Sequence, residues 1–330
     1  MQNGLISVVM PVYNTNPVYL REAIDSILNQ TYQDLELLVV DDCSPVRDVD
    51  AVIASYTDPR IRYFARPVNE GAAGARNFAL DQATGEFVAF LDSDDIALPT
   101  RFAEQLAFLQ ANPDIGIVGS EHIVIPSKKR GTVVTDDQEI KACAMFLRCP
   151  ASQSSVMLRK NIWSKSGVSY KKMLAEDYAF WLDMTLFTKS ANLPKPLTLY
   201  RWHGDNTSIK KEIELFECTR IVFINKWQEV YNVKVPVEVK NFLFLKMRNI
   251  NDLGVVNLFF RDMVNKISDN VYTDPDLAIK YLGKLYRKTL RKYKSGAMIR
   301  AMLKSPLATI FKLDSKFKIE MFFKSLLMKE

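Results

Sequence analysis

The first 120 residues alternate short apolar runs with segments of helical periodicity, and no other feature constrains the fold as strongly. Continuous apolar runs indicate strands that are buried on both faces. The predicted strands are Leu5–Met10, Leu35–Val40, Ile61–Ala65, Phe87–Leu91 and Ile115–Val118. The predicted helices between them are Val18–Leu28, Asp48–Ser55, Gly74–Ala83 and a helix opened by Pro99 that ends near Gln110. This alternation predicts an α/β fold with a mainly parallel sheet covered by helices on both faces.

After residue 120 the pattern changes twice. Residues 121–207 are mixed, with short strands near His122–Ile125 and Ser154–Leu158 and a helix over Glu176–Thr188. From 208 to 330 the chain is almost entirely helical in its periodicity, with interruptions at Pro236, Pro275 and Pro306. We therefore expect a first domain over 1–207, divided near 120, followed by an all-helical region over 208–330.

The composition excludes several classes of protein. A 48% hydrophobic content is too high for a disordered chain. Four irregularly spaced cysteines form neither a disulfide framework nor a zinc motif, and two histidines are too few for a His-rich metal site. The sequence shows no secretory signal and no apolar run long enough to span a bilayer, so we expect a cytoplasmic protein that is soluble or lies on a membrane surface.

The positive charge is concentrated at the C-terminal end. The formal net charge is +6, but residues 280–330 contain fourteen Lys and Arg against three Asp and Glu, so the rest of the chain is net acidic. Apolar residues in this segment recur at helical spacing: Ile279, Leu282, Tyr286, Leu290 and Tyr293, then Met298, Ile299, Met302, Leu303, Leu307, Ile310 and Phe311, then Phe317, Ile319, Phe322, Phe323, Leu326 and Leu327. Such basic amphipathic helices can bind an anionic membrane. The alternative is packing against the first domain or against a second subunit, as in a homodimer. No nucleic-acid-binding motif accompanies the charge.

Polar residues follow three of the predicted strands, at Tyr13-Asn14, Asp41-Asp42 and Asp92–Asp95, and ligands of α/β sheets bind at such strand ends. The strongest is Asp92-Ser93-Asp94-Asp95, whose crowded carboxylates would be compensated by Mg²⁺ or Mn²⁺. The alternative is an acidic helix N-terminus. Asp41-Asp42 could accept hydrogen bonds from a ribose or a base, or form an Asx turn. The glycine-rich stretch Asn69–Asn77 permits close backbone approach to a ligand and carries Arg76, placed to meet a phosphate.

Two further clusters lie beyond residue 170. Glu176-Asp177 begins an amphipathic helix and supplies either a general base or simple stabilisation of the helix N-terminus. His203 lies in the polar segment Tyr200–Asn206, where its imidazole is available to a metal. Taken alone, a single histidine more often has a structural role.

The order and spacing of these motifs resemble family 2 glycosyltransferases over about residues 5–207. The motifs that carry the resemblance are Ser7–Asn14, Val39–Ser44, Asn69–Asn77, Asp92–Asp95, Glu176-Asp177 and Tyr200–His203. The resemblance implies the GT-A fold, with a nucleotide-binding half over 1–120 and an acceptor half over 121–207. Within this family, the sequence is most similar in style to bacterial enzymes that extend lipooligosaccharide, O-antigen or capsule chains. That likeness implies that the protein acts at the inner face of the cytoplasmic membrane.

The resemblance also implies roles for individual residues. The nucleotide pocket would be formed by Pro11, Val12, Tyr13, Asn14, Asp42, Asn69, Gly71, Arg76, Asp92 and Ser93. Asp42 would accept from the uracil N3–H and Arg76 would approach the diphosphate. Asp94 would ligate Mg²⁺ or Mn²⁺, with His203 completing the site and Asp92 on the ribose or beside the metal. Asp177 would be the catalytic base, and Glu176 would orient the acceptor.

The implied activity is inverting, metal-dependent transfer of one hexose or N-acetylhexosamine from a UDP-sugar to a glycan or lipid-linked oligosaccharide acceptor. Processive members of the family carry Q-x-x-R-W, whereas Thr198 stands here three residues before Arg201-Trp202. We therefore expect a non-processive enzyme. The alternatives are a nucleotidyltransferase and a catalytically silent module that binds a sugar nucleotide or a glycan.

Overall fold

The computed structural model describes residues 2–46 and 48–328. They form two compact units. The first contains the described residues of Met1–Ile140 together with Cys149–Glu212, and the second contains Lys141–Arg148 together with the described residues of Ile213–Glu330. The sequence predicted a domain boundary at 207/208, with a subdivision of the first domain near 120, and gave no sign that the segment 141–148 groups with the later helices.

A nine-stranded sheet, counted over the described residues, forms the centre of the first unit. The strands are β1 (Gln2–Val12), β2 (Leu35–Asp41), β3 (Ile61–Ala65), β4 (Gly85–Phe90), β5 (Ile96–Ala97), β6 (Ile115–Ile125), β7 (Lys129–Gly131), β8 (Met157–Arg159) and β9 (Lys189–Arg201). Their order is β3-β2-β1-β4-β8-β6-β9-β5, with β7 beside β6. The helices are α1 (Pro17–Leu28), α2 (Asp48–Ala54), α3 (Gly71–Gln82), α4 (Arg101–Ala111), α6 (Lys160–Ser166), α7 (Glu176–Met184) and α8 (Thr207–Lys210), while α5 (Asp137–Phe146) belongs partly to each unit.

The strand directions bring distant parts of the sequence to one edge of the sheet. Strands β1 to β4 run parallel, and β6 runs parallel to β9. Because β8 is antiparallel to both β4 and β6, β9 points the same way as β1. The carboxyl ends of β1, β2, β4 and β9 therefore meet at the same edge, which is where ligands bind in sheets of this type.

The sheet is buried because alternate side chains of each strand enter two separate cores. In β1, Val8 and Met10 pack into one core, whereas Val9 belongs to the other. Every residue of β2 is buried. Because both faces are covered, the strands appear in the sequence as unbroken apolar runs, which is why they were predictable.

The predicted α/β architecture is confirmed, and several boundaries are corrected. Helix α4 begins at Arg101, with Thr100 as its N-cap, because the chain at Leu98 still pairs with Leu197 of β9. The predicted helix over Glu176–Thr188 ends at Met184. The segments Ile115–Val118 and His122–Ile125, predicted as two strands, form the single strand β6.

Strand β9 was not predicted. It contains Pro194 and Pro196, and proline lacks the N–H that a central strand must donate. The pairing of β9 with β6 shifts register where Leu193 faces Ser120 and Pro196 faces Glu121, so an irregularity in the ladder accommodates both prolines. The strand then continues to Arg201 at the ligand-binding edge.

The second unit is helical throughout its described residues. Its helices are α9 (Glu212–Tyr231), α10 (Val237–Leu243), α11 (Leu253–Ser268), α12 (Pro275–Lys292), α13 (Gly296–Leu303), α14 (Leu307–Ile310) and α15 (Ser315–Leu326). Trp227 is fully buried, and its indole N–H donates to the Met145 carbonyl at 2.9 Å, which ties the segment 141–148 to α9. Pro236, Pro275 and Pro306 stand at helix starts, as their missing N–H favours.

The apolar stripe of α12 packs inside this unit. Leu282, Tyr286 and Leu290 are fully buried, and the Tyr286 ring contacts Phe260 and Phe311. The α12 stripe therefore cannot face a membrane, and the prediction that it belongs to a membrane-binding surface is wrong. Over residues 2–46 and 48–328, no helix is both long and apolar enough to cross a bilayer.

Candidate active site

The first cluster at the carboxyl edge joins the end of β4 to the end of β9. Nε2 of His203 lies 2.9 Å from Oδ2 of Asp94. Arg201 fixes this contact, because its backbone N–H donates to the Asp95 carboxylate at 2.8 Å and its Nε–H donates to the Asp94 carbonyl at 2.7 Å. The His203 N–H donates to the Asn206 side chain, which holds the turn that carries the imidazole.

The carboxylates that follow β4 crowd one another. Burial raises the pKa of Asp94, the charge of Asp92 raises it further, and the contact with His203 opposes the rise. Burial and the neighbouring charges of Asp94 and Asp92 likewise hold the pKa of Asp95 well above its usual range. A cation bound at this cluster would offset the repulsion.

Asp94 and His203 offer one carboxylate and one imidazole to a divalent ion such as Mg²⁺ or Mn²⁺. Asp94 and His203 are in contact, and each side chain keeps about a quarter of its surface exposed, at 26% and 22%. The described part of the chain contains no group of three or more His, Cys, Asp or Glu arranged to hold a metal ion. Two protein ligands suit a divalent metal that takes its remaining ligands from substrate phosphates and water, so the pair fits such an ion.

Arg76 connects the two acidic motifs. Its guanidinium donates to Oδ1 of Asp92 and to Oε1 of Glu176, both at 2.7 Å, although these carboxylates come from distant parts of the chain. Burial lowers the pKa of Arg76, but the two carboxylates outweigh it and hold that pKa well above its ordinary value. The Tyr170 ring lies 5.6 Å from the guanidinium carbon.

The contact between Arg76 and Asp92 was not among the roles predicted for these two residues. Arg76 was expected at the diphosphate and Asp92 at the ribose or the metal. In the structure the Arg76 guanidinium and the Asp92 carboxylate bind each other, and Asp92 is not part of the Asp94–His203 contact. Their roles toward a bound nucleotide stay predictions.

Asp177 lies beside this bridge, at the first turn of α7. Burial raises its pKa to about 6, the charge of Glu176 adds to the rise, and Arg76 opposes it. The Tyr178 N–H donates to its Oδ1 at 2.6 Å. A carboxylate with a pKa near 6 remains ionised at neutral pH and is a better proton acceptor than an ordinary aspartate.

The helix that carries these two carboxylates is rigidly held. Phe180 stacks on Tyr170 with ring centroids 4.0 Å apart, and the Trp181 indole donates to the Gln153 side chain at 2.9 Å. Gln153 in turn donates to the Tyr170 hydroxyl at 2.8 Å. Tyr170 therefore packs against α7 and also lies beside Arg76.

The predicted nucleotide-binding residues from β1, β2 and α3 lie at the same edge. The Asp42 carboxylate accepts from the backbone N–H groups of Glu70 and Gly71, at 3.0 and 2.6 Å, and its carbonyl accepts from the Asn69 side chain at 3.0 Å. Gly71 has φ +77°, a conformation that favours glycine. Asp42 thus holds the loop before α3, and its predicted bond to uracil stays a prediction.

The end of β1 supplies the rest of that group. Pro11 and Val12 pair with β2, and the Val12 carbonyl accepts from the Asp42 N–H at 2.8 Å. Tyr13 is 54% exposed, so its ring is accessible for stacking on a base. Asn14 has φ +50°, and its N–H donates to the Ser44 hydroxyl at 2.8 Å.

Sequence reasoning missed several residues of this edge. The Thr15 hydroxyl lies 2.7 Å from the Ser93 hydroxyl, which joins the β1 and β4 ends. The Arg201 guanidinium lies 4.2 Å from the Tyr19 ring centroid and forms an ion pair with Glu22. Only Arg201 carried a sequence signal, through its place in the Tyr200–His203 motif.

The fold and this edge define an enzyme of the GT-A class, and comparison with known proteins gives the family. The family model described as "Glycosyl transferase family 2" matches residues 7–149. An Escherichia coli protein named "UDP-Glc:alpha-D-GlcNAc-diphosphoundecaprenol beta-1,3-glucosyltransferase WfaP" is 31% identical over 219 residues, which cover 66% of this chain and 85% of that protein. The chain belongs to glycosyltransferase family 2 and is a glycosyltransferase.

Two further relatives extend the likeness beyond the matched domain. An uncharacterised glycosyltransferase of Haemophilus influenzae is 27% identical over 283 residues, covering 81% of this chain and 84% of that protein. The crystal structure of S. aureus TarS 1–349 in complex with UDP-GlcNAc superposes with a TM-score of 0.58, at 19% identity, over 96% of this chain and 89% of that one. At this identity the likeness to TarS is one of fold.

Proposed function

We propose that this enzyme is an inverting, metal-dependent, non-processive glycosyltransferase that moves one hexose or N-acetylhexosamine from a UDP-sugar to an acceptor hydroxyl. The observation that carries the proposal is the bridge made by Arg76 between Asp92 and Glu176. It links the acidic motif after β4 to the helix that begins with Glu176 and Asp177. A donor held at one motif would thus lie within reach of a base on the other.

Asp177 has the properties of the base in an inverting displacement. Its raised pKa, about 6, lets its carboxylate accept a proton from an acceptor hydroxyl near neutral pH. As the bond from that oxygen to the anomeric carbon forms, the bond from the same carbon to the diphosphate breaks, and the configuration inverts. Glu176, held by Arg76, orients the acceptor from the neighbouring position.

Asp94 and His203 are the residues that would hold Mg²⁺ or Mn²⁺. A divalent ion at this position supplies Lewis-acid stabilisation of the charge that develops on the departing diphosphate. The mannosyltransferase PcManGT of Pyrobaculum calidifontis, a structural neighbour solved in complex with GDP-Man and Mn²⁺, superposes with a TM-score of 0.51 at 16% identity. Its metal supports the proposal by analogy of fold alone.

The donor and acceptor classes are supported by the relatives' names. TarS was crystallised with UDP-GlcNAc, and WfaP uses UDP-Glc and a diphosphoundecaprenol-linked GlcNAc. We infer a UDP-sugar donor and an acceptor that is a cell-surface glycan or a lipid-linked oligosaccharide. An acceptor of the lipid-linked kind would place the enzyme at the inner face of the cytoplasmic membrane.

Transfer of a single sugar is supported by the residue at position 198. Thr198, which stands where processive relatives have glutamine, is fully buried in β9, and its hydroxyl donates to the Ser154 carbonyl at 3.3 Å. It thus offers no side-chain amide to a growing glycan. We expect product analysis to give an acceptor extended by one residue.

The proposal is tested by measuring UDP release and glycosylated product with a panel of UDP-sugars, Mn²⁺ and a lipid-diphosphate-linked GlcNAc. Asp177→Asn should lower the rate of transfer by about 10²- to 10⁴-fold, the usual contribution of a general base, and leave the affinity for UDP unchanged. The matched control is Asp183→Asn, on the same helix but paired with Lys171. Transfer at the wild-type rate by Asp177→Asn would refute the base, and UDP binding without any transfer would favour a silent binding module.

A further inference from the structure

The last helix, α15, has two apolar faces, of which only one is packed. Phe317, Met321 and Ser325 lie on the buried face. The opposite face exposes large apolar side chains at a spacing of three and four residues that continues one position beyond the helix. They are Ile319 (57% exposed), Phe322 (48%), Phe323 (61%), Leu326 (58%) and Leu327 (88%). We call these five residues the α15 outer face.

The exposure of this face is fixed by a close contact on the other side of the helix. A Cβ atom on Gly296, at the start of α13, would lie 2.3 Å from the Ser325 carbonyl oxygen, so the two backbones approach as closely as glycine allows. The Arg300 guanidinium donates to the same carbonyl at 3.3 Å. The α15 outer face therefore cannot rotate into the core without loss of this contact.

Positive charge surrounds the α15 outer face. Lys312, Lys316 and Lys318 are exposed in and just before the helix. Glu320 is the single acidic residue within α15, and the Arg291 guanidinium pairs with its carboxylate at 2.9 Å. Four lysines between positions 312 and 324 thus stand beside two acidic residues, Glu320 and the N-cap Asp314, so the border of the apolar surface keeps a net positive charge.

We propose that the α15 outer face binds the surface of an anionic phospholipid bilayer, with Phe322, Phe323, Leu326 and Leu327 entering the headgroup–acyl boundary. An apolar stripe bordered by lysines is the pattern of helices that lie in this interface, where Lys contacts lipid phosphates. A second copy of the chain would bring the same lysines close to one another, whereas lipid phosphates complement their charge. The charge complementarity therefore favours a membrane over a second copy of the chain.

This assignment narrows the expectation from sequence that the whole basic tail binds a membrane. The stripe of α12 is buried within the second unit, and Met298, Ile299 and Met302 of α13 are buried as well. Of the three predicted sets, only the third presents a continuous apolar face. The inference is independent of the proposed sugar transfer, because neither donor nor acceptor takes part in it.

The test is flotation of the full-length protein with vesicles of phosphatidylcholine, with and without phosphatidylglycerol, at low and high salt. The wild-type protein should float with the anionic vesicles at low salt and far less with neutral ones. The double variant Phe322→Ser/Phe323→Ser should reduce the bound fraction about tenfold, since the inserted apolar area supplies much of the affinity. Val271→Ser, at a fully exposed valine outside α15, is the matched control and should float like the wild type.

The contribution of the lysines to membrane binding is tested with a separate variant. Lys316→Glu/Lys318→Glu should weaken flotation at low salt without a change in melting temperature. If the Phe322/Phe323 variant proves unstable, Leu327→Ser, at an 88% exposed position, should give a smaller loss in the same direction. Unchanged flotation of these variants, or a phenylalanine variant that converts a dimer into a monomer by light scattering, would overturn the proposal.

Discussion

Nε2 of His203 lies 2.9 Å from Oδ2 of Asp94, although 109 positions separate the two residues in the sequence. The contact depends on β9, which runs beside β6 in the same direction and ends at Arg201. Arg201 then donates to both Asp95 and the Asp94 backbone, which fixes the turn that carries the imidazole. The sheet therefore builds the pair, and these are the two residues that would hold the metal ion in the proposed mechanism.

His203→Ala should raise the Mn²⁺ concentration required for half-maximal transfer, because one of two protein ligands is lost. Asp94→Ala should have a larger effect, because it removes the charged ligand of the pair. Metal affinity is measured directly by titration calorimetry in the presence of UDP, which separates metal binding from catalysis.

The chain offers a matched control for the histidine variant. His122, the other histidine, lies in β6 with its ring 5.7 Å from Tyr200. His122→Gln should leave the Mn²⁺ requirement unchanged. An EDTA-treated enzyme that retains full activity would contradict the metal assignment for both Asp94 and His203.

The pH dependence of transfer should follow the ionisation of Asp177. Because its pKa is raised to about 6 and the reaction needs the carboxylate, kcat/KM should increase as the pH rises through about 6 and reach a plateau above 7. The measurement is a profile of kcat/KM from pH 5 to pH 8 at saturating Mn²⁺. Asp183→Asn should retain the same acidic limb, whereas a wild-type profile that is flat over this range would exclude Asp177 as the base.

The strands of the nucleotide-binding half could be predicted because they are buried on both faces and appear as unbroken apolar runs. Strand β9 could not, because Pro194 and Pro196 oppose a strand by every local rule, and only the shifted register with β6 accommodates them. The motif Tyr200–His203 therefore indicated a functional role for His203, but only the strand β9 explains why its imidazole lies beside Asp94. Local periodicity carries no information about a partner strand.

The residues of the site were predictable one motif at a time, but their mutual contacts were not. Asp92 and Glu176 were assigned to the nucleotide and the acceptor, and nothing in their local sequence shows that both bind Arg76. A buried arginine between two carboxylates is a property of the tertiary structure. The same holds for α15, whose outer face is distinguishable from the buried stripe of α12 only when the packing is known.

Arg76→Lys separates a positioning role from a role on the diphosphate. An ammonium group cannot hold two carboxylates with the planar fork of a guanidinium, so Glu176 should lose its fixed orientation. Lysine keeps the positive charge by which Arg76 opposes the rise in the pKa of Asp177, so the acidic limb of kcat/KM should stay near pH 6, while kcat falls by about tenfold or more because Glu176 is misplaced.

The two possible roles of Arg76 predict different effects of Arg76→Lys on kcat and on the affinity for UDP. If Arg76 acts through Asp92 and Glu176, kcat falls while the affinity for UDP stays near the wild-type value. If Arg76 binds the diphosphate, the affinity for UDP falls. Arg62→Lys, at a half-exposed arginine that pairs with Glu36 away from this edge, is the matched control.

Gly71→Ala should weaken nucleotide binding through the backbone alone. A Cβ at position 71 would meet no atom within 4 Å, but φ is +77°, so alanine would be strained by about 1 kcal/mol. The strained residue is the one whose backbone N–H donates to the Asp42 carboxylate at 2.6 Å, so the substitution should weaken this hydrogen bond and displace the loop Asn69–Gly71. Gly71→Ala should therefore lower both the melting temperature and the affinity for UDP.

Gly254, in the first turn of α11, provides the matched control, because it also has free space for a Cβ but lacks a positive φ. Gly254→Ala should raise the melting temperature, since alanine favours helix by about 0.5–1 kcal/mol. Equal effects of the two substitutions on the melting temperature and on the affinity for UDP would contradict the prediction that the contact of Asp42 with the loop Asn69–Gly71 supports nucleotide binding.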